Sequence, residues 1–140
     1  MRKLSREVLF KMVFAYKNCE KQGKFDQPYD ELLDVIQQEF CVDGSNLDAD
    51  YIKMGFESIT KNAVTYDAII SERVPGYKQS RIFNADMAIL NIALFEHEFL
   101  NLDKKIIISE ALKLAKKYST EQSIKFINGI LAMILKDKDE

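Results

Sequence analysis

Lys125 and Phe126 put a cation and an aromatic plane side by side, with Gln122 shortly before them and Gly129 shortly after. Residues of these types suit single-stranded nucleic acid. The ring offers a face on which a base stacks, and the ammonium offers charge to the adjoining phosphate. Ile124, Ile127, Ile130, Leu131 and Ile134 recur at spacings of three and four, the apolar stripe of a helix. At a step of about 100° per residue, Phe126 falls roughly 100° round from the centre of that stripe. Gln122 and Gly129 fall farther round. Two readings of Phe126 fit: a stacking platform, or an aromatic packed against a neighbouring helix. Pattern alone favours the second.

The distribution of charge supplies a second candidate surface. The net charge of −2 conceals three blocks. Residues 1–24 hold seven Lys/Arg against two Asp/Glu, residues 25–103 hold five against fifteen, and residues 104–125 hold six against two. If the two basic ends meet in space they form a surface that tracks phosphates. Taken singly, each of these lysines also reads as a solvated helix position. Near the N-terminus Arg6, Phe10, Phe14 and Lys17 share one side of a helix whose other side carries Leu9, Met12, Val13 and Tyr16. Cations thus alternate with aromatics there.

Other chemistry is hard to build from this chain. His97, the only histidine, sits between Glu96 and Glu98 on an apolar stretch with no second ligand nearby. Cys19 and Cys41 stand alone, which spells out neither a metal site nor a disulfide framework. There is no phosphate-binding glycine loop, no nucleophile elbow and no cofactor motif. No signal peptide or membrane span is expected, and a reducing cytoplasm is the natural setting. The pattern is that of a binding protein and not of an enzyme.

Positioning these residues falls to helices. With 140 residues, five glycines and two prolines, the chain is expected to form one all-α domain. Residues 1–4 read as a loose basic arm, and Ser5 as the N-cap of a first helix to about Glu20. A second helix is expected over about Tyr29–Phe40 and a long third over Asp48–Arg73. Gly55 in the third marks close approach of another helix. Val74-Pro75-Gly76 stops that helix, and a division into two small helical halves, about 1–75 and 76–140, falls there. A short helix follows at Tyr77–Phe83. The next, from Asn84 to about Phe99, is apolar almost all round and should be the most buried. Ser109 is expected to cap a helix ending at Tyr118. Ser119, with Gln122 reaching back, should cap the last.

These residues resemble the NusB family of bacterial transcription antitermination factors. Ile108-Ser109-Glu110-Ala111-Leu112-Lys113-Leu114-Ala115-Lys116 is similar to the family's I-N-E-A-[VI]-E-L-A-K. Ser123-Ile124-Lys125-Phe126-Ile127-Asn128-Gly129-Ile130-Leu131 is similar to S-x-K-F-[VI]-N-G-[VI]-L. Residues 86–96, DMAILNIALFE, resemble D-x-A-I-L-R-[LI]-A-x-Y-E, and the start, with Ser5-Arg6-Glu7 and Met12-Val13-Phe14, resembles A-R-E … A-L-Y. The resemblance implies an all-α fold of about seven helices in two subdomains. It also implies binding of boxA RNA together with NusE, a small-subunit ribosomal protein, within an antitermination complex on RNA polymerase, chiefly at ribosomal RNA operons. By position, Arg2, Lys3 and Arg6 would meet phosphates. Gln122 and Lys125 would lie at the RNA, and Phe126 would be its stacking residue. Phe14 and Asp86 would lie toward NusE. Four positions depart from the pattern: Asn91 for arginine, Ser109 for asparagine, Phe95 for tyrosine, and Gln122 where many members have aspartate. Removing that carboxylate should ease phosphate approach. Two other readings fit the same residues: a NusB-like domain cut from an RNA cytosine methyltransferase, and a helical module that associates with itself, as the free chain could.

Overall fold

A computed structural model of the chain describes residues 2–20, 27–74 and 82–135, and the described residues form seven α-helices and one 3-10 turn, with no strand. The helices are α1 (Arg2–Glu20), α2 (Tyr29–Phe40), α3 (Ala49–Lys61), α4 (Ala63–Glu72), α5 (Asn84–Phe99), α6 (Lys104–Tyr118) and α7 (Glu121–Ile134). The all-α expectation is borne out, although the count is reached differently. The long third helix is two, and the short element expected at Tyr77–Phe83 falls mostly on residues 75–81, outside the described ones.

The break between α3 and α4 has a local cause. Asn62 leaves helical geometry at φ −104°, ψ 16°, and its side-chain amide donates to the Ser58 carbonyl at 2.8 Å. A short amide that competes with the backbone in this way interrupts a helix that apolar spacing alone would continue. At the end of α2, Cys41 adopts the left-handed conformation at φ 56°. The Cys41 and Val42 amides then close on the Gln38 and Gln37 carbonyls, each at 3.1 Å, the hydrogen-bonding pattern that commonly ends a helix.

Helix α5 organises the molecule. Every residue from Asp86 to Glu96 on it is buried, and it packs against α1, α3, α4, α6 and α7. A helix apolar all round has no solvent face to offer and must lie at the centre. Gly55 permits the closest approach. A Cβ there would lie 2.6 Å from Leu9 and 2.9 Å from Phe95, so α1, α3 and α5 meet where no larger side chain fits. One cluster of buried side chains runs from Val8 on α1 to Leu135 after α7.

Four serines and their neighbours show where local capping and tertiary structure part company. Ser5 is not a cap. It lies inside α1, which begins at Arg2, and is fully buried because its hydroxyl accepts the Asp48 amide at 2.7 Å. Asp48 in turn caps α3 by accepting from the Tyr51 amide. Helix α6 starts five residues before Ser109, capped by Asp103 through the Lys105 amide, and leaves Ser109 exposed in its interior. The cap of α7 is Thr120, which accepts the Ser123 amide at 3.1 Å, while Ser119 closes α6.

Candidate nucleic-acid interface

The first two turns of α7 carry Gln122, Lys125 and Phe126. Gln122 and Lys125 are exposed, and Lys125 makes no ion pair among the described residues. Phe126 lies between the two sequence readings: it is half-buried and packed against the core cluster. The ring therefore has protein support and keeps part of its surface accessible. Gly129, one turn on, is exposed, and a Cβ there would meet nothing within 4 Å. Its effect is to leave open space beside the helix.

What fixes this turn is a polar cluster under it. Asp86 belongs to the first turn of α5 and is 4% exposed. Ser119 donates to one of its carboxylate oxygens at 2.7 Å, and Ser123 donates to the other at 2.8 Å. Thr120 Oγ1 lies 3.0 Å from the Ser123 hydroxyl. The start of α5, the end of α6 and the start of α7 are joined at one carboxylate. Asp86 is expected to lie toward NusE; in the chain by itself both of its oxygens are engaged inside the protein.

The N-terminal cations separate into three kinds. Lys3 is exposed and lines a cleft of about 130 Å³ between α1 and α6, together with Arg6, Glu7, Glu110, Lys113, Leu114 and Lys117. Arg2 belongs to α1 and not to a loose arm. Its guanidinium lies 4.3 Å from the Tyr51 ring centroid and 3.3 Å from Asp48. Arg6 is 5% exposed, and its fork is engaged: Nη2 donates to Glu96 at 2.7 Å and Nη1 to Glu110 at 3.2 Å. Tyr51 donates to the same Glu96 oxygen at 3.1 Å. Burial lowers the guanidinium's pKa, but the hydrogen bond and charge of Glu96, with Tyr51 and Glu110, more than reverse this and raise it. Arg6 is expected to meet a phosphate; in this structure the donors that would do so already hold carboxylates.

Lys113 and Lys117, one turn apart on α6, are exposed residues of the same cleft that sequence reading folded into a charge block. Their signal was the four-residue spacing. Both are partly neutralised. Lys117 lies 2.5 Å from Glu7, and Lys113 lies 3.2 Å from Glu110. Glu7 also accepts from Tyr118 at 3.0 Å. Burial first, then Glu7 and Glu39, push the pKa of that phenol well above its ordinary range.

Beyond Tyr118 an open groove of about 440 Å³ is walled by Phe14, Asn18, Phe83, Asn84, Ala85, Tyr118, Ser119 and Thr120. Phe14 is half-buried and stacks on Phe10 at 5.9 Å, and Phe83 is 62% exposed. The groove ends at the residues that begin α7, so Phe14 and the α7 turn border one continuous stretch of surface. Among the described residues no group of three or more His, Cys, Asp or Glu side chains is placed to hold a metal ion, and no helix is long and apolar enough to cross a membrane.

A family model described as the NusB family matches residues 3–136. A transcription antitermination protein NusB from Clostridium botulinum (strain Alaska E43 / Type E3) is 36% identical over 142 residues, covering 96% of this chain and 98% of the relative. The solved structure of NusB from T. maritima superposes with a TM-score of 0.80 at 26% identity, covering 96% of this chain and 90% of that one. A crystal structure of the antitermination factors NusB and NusE in complex with double-stranded RNA shares the fold, with a TM-score of 0.76 at 24% identity over 96% and 95% of the two chains.

Proposed function

The chain belongs to the NusB family, and from that premise we propose that it is an RNA-binding transcription antitermination factor. In this reading it binds single-stranded boxA RNA as a heterodimer with NusE and joins an antitermination complex on RNA polymerase, chiefly at ribosomal RNA operons. It works in the cytoplasm and catalyses no reaction. The whole chain is one NusB-like domain whose halves divide near residue 75.

The observation that carries the reading is the α7 turn, where an exposed cation with no ion pair among the described residues stands beside a half-buried aromatic ring. Single-stranded RNA asks for this pairing of charge and stacking surface. The lysines of α6 and Lys3 extend the positive surface toward α1, and the groove beside Phe14 is the natural place for NusE. That a NusB relative forms a complex with NusE and double-stranded RNA supports NusE and RNA as the classes of partner.

The test is a titration of a short single-stranded boxA RNA, with and without NusE, at several salt concentrations. Each phosphate neutralised contributes about −0.7 to the log–log slope, so the few cations available give a shallow negative slope, and NusE tightens binding. Equal affinity at low and high salt, or no gain from NusE, would contradict the proposal.

A further inference from the structure

Asp86 has a role that its burial, and not any contact with RNA or partner, points to. It stands at the third position of α5, where a carboxylate suits the positive end of the helix. Its two oxygens each take a hydroxyl from a different element, Ser119 closing α6 and Ser123 in the first turn of α7. Ser123 is 3% exposed, and its amide is held by Thr120. Gln122 and Phe126 flank Ser123 within one turn, and Lys125 follows two residues after it. Nothing else polar in the described structure ties the start of α7 to α5. The backbone there is otherwise held by its own cap and by apolar contacts.

We propose that Asp86 is a positioning residue for RNA binding: through Ser119 and Ser123 it sets the angle at which α7 presents Gln122, Lys125 and Phe126. The inference rests on the reading of α7 as the RNA-contacting helix. It separates two properties that a buried polar cluster usually serves together, stability and presentation. Removing the carboxylate leaves Ser119 and Ser123 only each other, at 2.8 Å, and Thr120 as hydroxyl partners. This cuts the tie to α5 and loosens the α7 turn, while the side chains that touch RNA stay intact.

The experiment measures RNA affinity for Asp86→Ala, Asp86→Asn and Ser123→Ala, each alone and combined with Phe126→Ala, well below every variant's melting temperature. The RNA is the same boxA oligonucleotide. Asp86→Ala is expected to weaken binding about tenfold, within the range of coupling between residues that share one network. Asp86→Asn, whose amide can still engage both hydroxyls once one of them turns to accept, recovers most of that loss. In the Phe126→Ala background the effect of Asp86→Ala shrinks to within about twofold, because the group it positions is gone. Amide hydrogen exchange across residues 121–126 speeds up at least tenfold in Asp86→Ala, with or without RNA.

Should Phe126→Ala weaken binding while Asp86→Ala melts earlier yet binds like the parent, Asp86 is only structural and the inference falls, leaving the function standing. Unchanged exchange at 121–126 overturns the inference too, whatever the RNA result. If the parent shows no salt-dependent RNA binding, the functional reading fails and the positioning role fails with it.

Discussion

At the α1–α6 cleft, Arg6, Lys113 and Lys117 each lie within 3.2 Å of a carboxylate, and Lys3 alone is exposed with no ion pair among the described residues. On the first turns of α7 the balance is reversed. A single lysine stands exposed without an ion pair among the described residues, near the exposed and neutral Gln122. In sequence the first region is the richer in cations; in the folded protein the second offers its charge more freely. Charge counted along a chain is therefore a poor guide to charge available to a ligand. A buried cation such as Arg6 must find a carboxylate or be prohibitively costly, and exposed lysines such as Lys113 and Lys117 are partly neutralised by the carboxylates beside them.

The strongest way to break this comparison is at Arg6. Arg6→Ala leaves Glu96 buried without its cation and is expected to destabilise the fold by about 3–5 kcal/mol, read as a large fall in urea midpoint. Exchanging Arg6 and Glu96 together for apolar residues of similar volume should recover most of the loss. If Arg6→Ala unfolds normally but loses RNA affinity, Arg6 is a phosphate ligand after all and the contrast between the regions disappears.

Phe126→Ala probes the other region. A half-buried ring should cost less stability than the roughly 3–5 kcal/mol of a fully buried phenylalanine, while binding falls by about 1–3 kcal/mol for one lost stacking platform. Melting temperature and RNA titration together separate the two effects. A variant that melts far earlier yet binds like the parent would return Phe126 to the core.

Two smaller changes sharpen the contrast. Glu7→Gln keeps an acceptor for Tyr118 but removes the charge beside Lys117, so RNA should bind tighter by up to about 1 kcal/mol, the scale of an exposed ion pair. Weaker binding would mean that Glu7 orients the lysine and does not occupy it. Gln122→Asp places a carboxylate on the α7 face and should weaken RNA binding by a few tenths of a kcal/mol, more at low salt and with the fold unchanged. Equal loss at all salt concentrations would indicate a lost hydrogen bond instead.

The sequence was most legible where one periodicity governs many residues. The bounds of α2, the burial of α5 and the close approach at Gly55 all follow from apolar spacing, because core packing and pattern there express the same constraint. It was least legible where a short polar side chain chooses between a local and a distant partner. Ser5 and Ser119 both have the composition of caps, yet Ser5 reaches Asp48 and Ser119 reaches Asp86, each more than thirty residues away in the chain. The break at Asn62 belongs to the same class. Of the candidate site, Lys125 and Gln122 stand exposed where periodicity puts them. Arg6 and Asp86 do not, because the groups that enclose them come from elements no local pattern connects.

The most direct measurement is the salt dependence of RNA affinity for the parent and for Lys125→Ala. If Lys125 neutralises one phosphate, the variant's log–log slope is shallower by about 0.7, and its affinity is lower at every salt concentration below the point where the lines meet. An unchanged slope with unchanged affinity would show that RNA does not lie along α7, and the central assignment of that helix would be wrong.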